Sequence, residues 1–243
     1  MKRIIESLVD PADHLALDEA TLLLADAGEM GESIRIWEFA NDVVVVGRST
    51  KVNDEIQIDF CRDRKIPIMR RCSGGASIVA GPGCLMYSVV VNLNRHGDLR
   101  KIDAAHTFVM SRVLNAVKPQ IPEVALQGTC DLTYQDRKFS GNSLRISRTH
   151  LLYHGTILYA SDLGLLANCL ATAPRQPEYR GGRKHDDFVS NVPIDPEAFT
   201  QQLLVEFEVA DSVITDAITD LPDTEIQRLR QLRYDNPKWH LRH

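Results

Sequence analysis

The segment Arg70-Arg71-Cys72-Ser73-Gly74-Gly75-Ala76-Ser77 joins two stretches with β-strand patterns, Ile66–Met69 and Met86–Val91. Consecutive small residues let backbone N–H groups approach an anion closely, and a neighbouring arginine adds a bidentate charged donor. The segment therefore resembles a phosphate-binding loop, although it matches neither Gly-x-x-x-x-Gly-Lys-Ser/Thr nor Gly-x-Gly-x-x-Gly. A tight structural loop between strands is the alternative, and composition alone favours it.

The pattern around this loop predicts strands in the middle of the chain and helices on either side. Strand patterns occur in Ser33–Phe39, a half-buried alternation, and in Val43–Val46, Asp131–Tyr134, Lys138–Ser143 and Leu151–Leu158. Helical patterns occur in 10–29, with Asp13 as the N-cap, and in Asp103–Val117, 196–210 and 223–234. Because helices and strands do not alternate regularly, we expect an α+β fold with a mixed, largely antiparallel central sheet flanked by helices.

Composition narrows the class of protein. The 243 residues include 28 Lys+Arg and 33 Asp+Glu, a net charge of −5, and 44% are hydrophobic. These values are average for soluble globular proteins and exclude disorder and a disulfide scaffold. No apolar stretch approaches the roughly 20 residues of a spanning helix, and neither a signal peptide nor a basic run is present. We expect a cytoplasmic protein that binds neither membrane nor nucleic acid, with reduced cysteines.

A second segment, Asp136–Arg145, offers Lys138 and Arg145, a pair of cations that could face a phosphate or an acyl-phosphate. An ordinary hairpin with exposed Lys and Arg explains the same residues.

A third segment includes His154 and Gly155 on a predicted strand. His154 is either a group that acts on an acyl chain or a hydrogen-bonded structural residue. His150 lies four residues earlier, but no third ligand is evident, so no metal site follows.

Cys130 directly precedes the second segment. A thiol near Lys138 and Arg145 would have a lowered pKa and could act as a nucleophile. The alternative is a small buried residue, which describes most free cysteines. Cys169 lies in the helical run Leu163–Leu170, and we interpret it as core.

Taken together, in this order and spacing, these segments resemble the lipoate–protein ligase A family, part of a wider group with biotin protein ligases and octanoyltransferases. The family's hallmarks are an Arg-Arg-x-Ser-Gly-Gly-Gly-Ala loop, a Lys-x-Ser-Gly-x-Ala segment and His-Gly-Thr-Leu-Leu. They correspond here to residues 70–77, 138–143 and 154–158. Weaker matches are Leu15–Ala20, Val46-Gly47-Arg48 and Tyr234–Trp239, so the resemblance covers essentially the whole chain.

The resemblance implies a fold like the catalytic core of class II synthetases and biotin protein ligases. It also implies a ligase that makes lipoyl-AMP from lipoate and Mg-ATP and passes the acyl group, lipoate or octanoate, to a lysine of a lipoyl domain. The acceptors would be the lipoyl domains of 2-oxoacid dehydrogenases or the glycine cleavage H protein. We expect one catalytic domain over 1–243, with a loop at 174–193, a helical buttress at 194–243 and no C-terminal accessory domain.

The resemblance also implies roles for individual residues. Lys138 would contact the acyl carbonyl and the phosphate, and Asp131 would contact Mg²⁺. Charge stabilisation of this kind suits acyl transfer through a mixed anhydride. The lipoyl-adenylate site would be lined by Arg71, Ser73, Gly74, Gly75, Ala76, Ser77, Cys84, Ser140, Arg145, His154, Gly155 and Thr156.

Departures from the family pattern leave alternatives open. The family's third loop glycine is Ala76, the following alanine is Ser77, a later asparagine is Cys84, and Cys130 replaces the Asn of an Asn-Asp pair. The first alternative is an ATP-independent octanoyltransferase that takes octanoate from acyl carrier protein through a Cys130 thioester. The second is a non-catalytic module that binds lipoyl domains. A ligase without the accessory domain could also depend on a separate accessory chain for adenylation.

Overall fold

The computed structural model describes residues 1–171, 176–209 and 217–242. The strands are β1 (Lys2–Ile4), β2 (Ser33–Trp37), β3 (Val43–Val46), β4 (Ile68–Arg70), β5 (Ile78–Ala80), β6 (Cys84–Asn92), β7 (Ala125–Gln127), β8 (Asp131–Tyr134), β9 (Arg137–Ser140), β10 (Asn142–Ile146) and β11 (His150–Leu158). The helices are α1 (Pro11–Ala27), α2 (Val52–Glu55), α3 (Ile58–Asp63), α4 (Ile102–Val117), α5 (Leu163–Cys169), α6 (His185–Phe188), α7 (Pro196–Glu206), α8 (Asp223–Leu229) and α9 (Pro237–His240). A 3-10 turn spans Glu178–Arg180, and a π-helical turn spans Arg230–Tyr234. None of the described helices has the length and apolar character needed to cross a membrane.

The strands form three sheets, which confirm the expected mixed and largely antiparallel α+β architecture. The largest has five strands in the order β1-β2-β6-β11-β10, parallel at β1–β2 and antiparallel elsewhere. A second sheet, β4-β3-β5, is parallel at β3–β4 and antiparallel at β3–β5. The third, β7-β8-β9, is antiparallel.

The central strands are buried on both faces, which explains their nearly continuous apolar runs. Every residue of β3 and of β11 is buried, and so is all of β6 except Asn92. The two long strands β6 and β11 pair antiparallel along their whole length, with Tyr153 opposite Val89. Strands covered on both faces lose the alternation of half-buried strands. This register brings His154 and Gly155 to the middle of the large sheet.

The half-buried alternation predicted for Ser33–Phe39 is wrong at Arg35. This side chain is almost fully buried, and β2 ends at Trp37. The guanidinium of Arg35 donates to Asp18 (Nη1–Oδ1 2.9 Å) and to Glu6 (Nη2–Oε1 3.0 Å). A buried charge is tolerated when it is paired and hydrogen-bonded. The acids that make this burial possible lie elsewhere in the chain.

Helix α1 covers one face of the large sheet. Its N-cap is Asp10, which accepts a hydrogen bond from the N–H of Ala12, and not Asp13 as the sequence predicted. Pro11 occupies the first helical turn, where its missing N–H costs nothing. Asp13 instead receives a hydrogen bond from Arg230 at 2.8 Å. The helix ends at Gly28, whose φ of 80° is left-handed, and it places Asp18 and Glu19 against the sheet.

The C-terminal segments cover α1 and the loop that contains Arg70. Helix α7 is shorter than the predicted 196–210, and the predicted helix 223–234 divides into α8 and the π turn. Tyr234 donates to Glu19 of α1 (2.7 Å), and the backbone of 239–242 accepts hydrogen bonds from Arg70. The predicted loop 174–193 contains the 3-10 turn and α6. Residues 174 and 175 of this loop and residue 210 of the predicted helix 196–210 lie outside the described residues. Most of the described buried apolar residues, from Ile4 to Tyr234, belong to one cluster, and a smaller second cluster includes Leu22, Cys72 and Leu152.

Candidate active site

A cleft with two adjoining lobes opens beside the loop 70–77. The larger lobe, here called the wide lobe, has an empty volume of about 820 Å³, and the smaller, here called the narrow lobe, about 610 Å³; both volumes include space open to solvent. Lys138 and Thr156 line both lobes and therefore mark the junction between them. The other shared residues are Ala76, Ser77, Ile78 and Gly141.

The two lobes differ in their side chains. The narrow lobe combines apolar residues with a polar end formed by Asp18, Arg71 and His154; its apolar residues include Leu15, Trp37, Val45 and Met86. The wide lobe is also largely apolar, and its polar groups include Glu55, Ser140, Arg180 and His185. Apolar clefts with a few convergent polar groups are the usual form of small-molecule sites.

Arg71 organises the loop that borders the narrow lobe. Its guanidinium donates to the carbonyl oxygens of Gly74 (2.5 Å) and Ala76 (2.9 Å), and its Nε donates to Ser73 Oγ (3.0 Å). These partners are neutral, and burial lowers the pKa of Arg71 to about 10. Arg71 thus has only neutral hydrogen-bond partners among the described residues, although the charge of Glu55 acts on it and opposes the lowering of its pKa.

Glycines allow this loop to approach β3 closely. Gly75 has a left-handed φ of 83°, and a Cβ atom placed on Gly47 would lie 2.0 Å from the carbonyl oxygen of Gly75. That distance is far inside van der Waals contact, so only glycine fits at position 47. The Gly-Gly pair and the weaker Val46-Gly47-Arg48 match therefore belong to one local structure.

A chain of hydrogen bonds supports His154 below the loop. Its Nε2 lies 2.5 Å from Ser73 Oγ, and its Nδ1 lies 3.0 Å from Asp18 Oδ2. Asp18 also accepts from Arg35 Nη1 and Ser88 Oγ, both at 2.9 Å. Burial alone would raise the pKa of Asp18, but the hydrogen bond from His154 and the charge of Arg35 lower it. Asp18 was not among the predicted site residues; its one signal was the weak match at Leu15–Ala20.

Lys138 lies at the junction of the two lobes and forms a salt bridge with Asp131. Its Nζ lies 2.8 Å from Asp131 Oδ1, and the Tyr179 hydroxyl donates to Asp131 Oδ2 at 2.7 Å. A Cβ atom on Gly141 would lie 3.1 Å from both Cε and Nζ of Lys138, so the glycine leaves room for the lysine. No local sequence pattern indicated Tyr179.

The expectation that cations would lower the pKa of Cys130 is wrong. Burial and the charge of Asp131 together raise the pKa of this thiol to about 11, while the charge of Lys138 acts in the opposite direction. Arg145 lies beside Glu19 instead (2.7 Å), while Lys138 is paired with Asp131. The thiol donates to the backbone oxygen of Asn142 at 3.3 Å and lines neither lobe.

The structure brings most of the sequence-derived residues to one cleft. Those that line it are Arg71, Ala76, Ser77, Lys138, Ser140, His154, Gly155 and Thr156. Ser73, Gly74 and Gly75 form the supporting loop, and Asp131 lies behind Lys138. Cys84 and Arg145 line neither lobe. Cys84 is buried at the start of β6, where burial raises its pKa to about 12.

Asp131 is the acid that the sequence analysis linked to Mg²⁺. Both of its oxygens have partners, Lys138 and Tyr179. Within residues 1–171, 176–209 and 217–242, no group of three or more His, Cys, Asp or Glu side chains is arranged to hold a metal ion. Mg²⁺ commonly binds through one or two carboxylates together with substrate phosphates. Asp131 would fit a magnesium ion only together with other oxygen donors, such as those of a substrate phosphate.

Known proteins resemble this chain in sequence and in fold. It is 28% identical over 167 residues to "Probable lipoate-protein ligase A" of Mycoplasma genitalium, a match that covers 69% of this chain and 48% of the relative. The chain thus spans about half the length of this curated relative. It is 22% identical over 265 residues to octanoyltransferase LipM of Halalkalibacterium halodurans, covering 96% and 95% of the two chains.

The fold is that of a solved bi-partite lipoate protein ligase from Thermoplasma acidophilum, described together with its E2 lipoyl domain. The TM-score is 0.79 at 19% identity, over 98% of this chain and 94% of the other. Residues 10–208 match the family model described as the lipoyl protein ligase A/B catalytic domain. The predicted resemblance is therefore confirmed, and the chain belongs to the lipoyl protein ligase A/B catalytic domain family.

Proposed function

We propose that the chain attaches lipoate or octanoate to a lysine of a lipoyl domain through an acyl-adenylate. The observation that carries this proposal is the position of Lys138, at the junction of an apolar narrow lobe and a wider lobe. An acyl-adenylate has an apolar chain, a mixed anhydride and a nucleotide in that order. Its anhydride would lie at the junction if each end occupied one lobe.

The chemistry suits the cations at the cleft. In the first step the acyl carboxylate attacks the α-phosphorus of ATP and releases pyrophosphate; in the second the acceptor lysine attacks the acyl carbonyl and releases AMP. Both steps concentrate negative charge between carbonyl and phosphate, where Lys138 would offer an oriented donor and Arg71 a nearby positive charge. Mg²⁺ would enter as part of the substrate MgATP, and Asp131, the carboxylate paired with Lys138, would contact it.

The assignment of lobes follows from their side chains. The apolar lining of the narrow lobe suits an acyl chain, with His154 at its polar end; this lining includes Leu15, Trp37, Val45 and Met86. The wide lobe offers the larger volume that a nucleotide needs. The solved bi-partite ligase with its E2 lipoyl domain supports a lipoyl domain as acceptor and a separate accessory chain as a second partner.

The experiment is an intact-mass measurement on an apo lipoyl domain incubated with the protein. One reaction contains lipoate and MgATP, the other octanoyl-acyl carrier protein alone, and each is run with and without an accessory chain. A lipoyl domain whose acceptor lysine is replaced by arginine is the control. Modification with lipoate and MgATP supports the proposal, whereas modification in the second reaction only would overturn it.

An ATP-independent octanoyltransferase is the second candidate, supported by the octanoyltransferase LipM, which matches almost the whole of both chains. In that reaction Cys130 would attack the octanoyl thioester of acyl carrier protein and release the carrier thiol. Its raised pKa and its position outside both lobes weigh against this role. Cys130→Ser separates the routes: adenylate transfer persists in this variant, whereas thioester transfer and a hydroxylamine-labile adduct are both lost.

A further inference from the structure

Arg180 is held rigidly at the wall of the wide lobe. It ends the 3-10 turn Glu178–Arg180 and is followed by Gly181 and Gly182, both with left-handed φ. Its Nε donates to the carbonyl oxygen of Arg183 (2.9 Å), and Arg183 Nε donates back to the carbonyl oxygen of Arg180 (3.0 Å). The guanidinium carbon lies 4.8 Å from the ring centroid of Phe188. These contacts fix the side chain without neutralising it.

Arg180 lacks an acidic partner among the described residues. The side chain is 5% exposed, and its Nη2 atom is buried without a hydrogen-bond partner in the described part of the chain. Nearby cations are paired: Lys138 with Asp131, and Arg183 with Asp136 at 3.2 Å. Burying an unpaired charge is costly, so a buried guanidinium without an acid marks a place where an anion would be stabilising.

The surroundings of Arg180 are electropositive. Lys138, Arg180 and His185 line the same lobe. Burial lowers the pKa of His185, and the positive charges of Arg180 and Lys138 lower it further, with Asp186 acting in the opposite direction. Glu55, which also lines this lobe, accepts hydrogen bonds from the N–H and hydroxyl of Ser77, both at 2.8 Å. The charges of Arg180 and Lys138 both act on His185, so the two cations lie in the same part of the lobe.

We infer that Arg180 binds a phosphate group of the co-substrate that activates or delivers the acyl chain. This inference rests on the proposed acyl-transfer function and adds a phosphate-binding residue to the wide lobe. Guanidinium groups bind phosphate oxygens through charge-assisted and often bidentate hydrogen bonds. The phosphate could come from a nucleoside triphosphate, as in the adenylate route, or from the phosphodiester of a phosphopantetheine thioester, as in the transferase route.

Calorimetric titration of the full chain tests this inference. The ligands are MgATP and octanoyl-phosphopantetheine, each compared with its phosphate-free counterpart, adenosine or octanoyl-pantetheine. The variants are Arg180→Gln and, as a matched control, Lys184→Gln, an exposed cation of the same segment. We expect R180Q to weaken one phosphate ligand about 10- to 100-fold, as for a lost charge-assisted hydrogen bond. K184Q and the phosphate-free ligands should show no such change.

The ligand that loses affinity identifies the source of the phosphate. Thermal melting of each variant shows that it is folded, and Arg180→Lys, which keeps the charge, should show a smaller loss. Equal affinity of wild-type protein and R180Q for both phosphate ligands would overturn the inference. If affinities are equal and the wild-type protein still modifies a lipoyl domain, the proposed acyl-transfer function stands and only the role of Arg180 is rejected. A wild-type protein that neither binds these ligands nor transfers an acyl group would overturn both.

Discussion

The Nζ atom of Lys138 lies 2.8 Å from the carboxylate of Asp131, at the junction of the two lobes. Tyr179 donates to the second oxygen of that carboxylate, so lysine, acid and phenol form one connected group. The salt bridge orients the ammonium, and Gly141 leaves room for it. A cation oriented before substrate binds needs little reorganisation as charge develops on the reacting atoms.

Replacing Lys138 should remove activity without unfolding the protein. Lys138→Met keeps the length of the side chain but not the charge, and we expect acyl transfer to fall by about 100-fold or more, as when one preorganised donor is lost. The measurement is the initial rate of lipoyl-domain modification, with melting temperature recorded in parallel. Lys101→Met, at a side chain that is 77% exposed, is the control. A Lys138→Met variant as active as the control would mean that the site is elsewhere.

Gly47 should be irreplaceable although it lies outside the loop. In Gly47→Ala the new Cβ would meet the carbonyl oxygen of Gly75 at 2.0 Å, and backbone cannot move aside as a flexible side chain can. We expect a loss of about 1–3 kcal/mol in the free energy of unfolding, the range for overpacking, and weaker lipoate binding. Gly31→Ala, where nothing lies within 4 Å, is the matched control. Denaturant titration in which both variants lose the same stability would contradict this account.

Arg70 should stabilise the protein more than any surface arginine. Its guanidinium donates to carbonyl oxygens of Gly47 and Thr50 and also to those of Trp239, His240 and Arg242, which ties the C-terminal segment to the loop. In Arg70→Met several buried acceptors lose their donor, and each costs about 1–3 kcal/mol. We expect a loss of more than about 3 kcal/mol in the free energy of unfolding, measured by urea denaturation.

The control for Arg70 is Arg62→Met. Arg62 pairs with Asp59, but the two side chains are 69% and 84% exposed. Exposed ion pairs contribute about 0–1 kcal/mol, so this variant should be nearly as stable as the wild type. Similar stabilities for the Arg70 and Arg62 variants would show that the C-terminal segment is not held through Arg70.

The pH dependence of stability should involve Glu6. Burial opposes ionisation of this carboxyl, but its hydrogen bond with His14 and the charge of Arg35 dominate and lower its pKa from 4.5 to about 2. A carboxyl with a lowered folded-state pKa contributes stability above the unfolded value, and the contribution is lost as pH falls. Stability should therefore decrease between pH 4.5 and about 2.

Glu6→Gln checks the assignment of this pH dependence. The amide cannot ionise, so the free energy of unfolding should vary less with pH across the same window than in the wild type. Glu29→Gln, at an exposed position, is the control. An unchanged slope in Glu6→Gln would assign the acid sensitivity to other carboxyl groups, such as Asp18, whose pKa is also lowered.

Strands and motifs that depend on residues close together in the chain could be predicted from the sequence alone. The run Val43–Val46 predicted a buried strand, and the apolar stretches of β6 and β11 predicted strands, without their burial. The irregular alternation of strands with helices predicted the mixed α+β class. The motif around Lys138 and the loop after Arg71 identified two walls of one cleft. These features depend on residues that are neighbours in the chain.

Features that depend on contacts between side chains far apart in the sequence could not be predicted in this way. Arg35 looked solvent-facing because its partners Glu6 and Asp18 are separated from it in sequence. Cys130 looked activated because nothing in the sequence showed that Lys138 faces Asp131 and that Arg145 faces Glu19. Only the fold of the segment after residue 176 brings Tyr179 to Asp131 and Arg180 to the wide lobe.

Formation of an acyl-adenylate is the central claim, and lipoate-dependent exchange of labelled pyrophosphate into ATP measures it without an acceptor domain. The reaction contains the protein, any accessory chain it requires, MgATP and labelled pyrophosphate, with or without lipoate. We predict exchange that requires lipoate, persists in Cys130→Ser and is lost in Lys138→Met. Absence of exchange from a protein that transfers octanoate from acyl carrier protein would contradict the account.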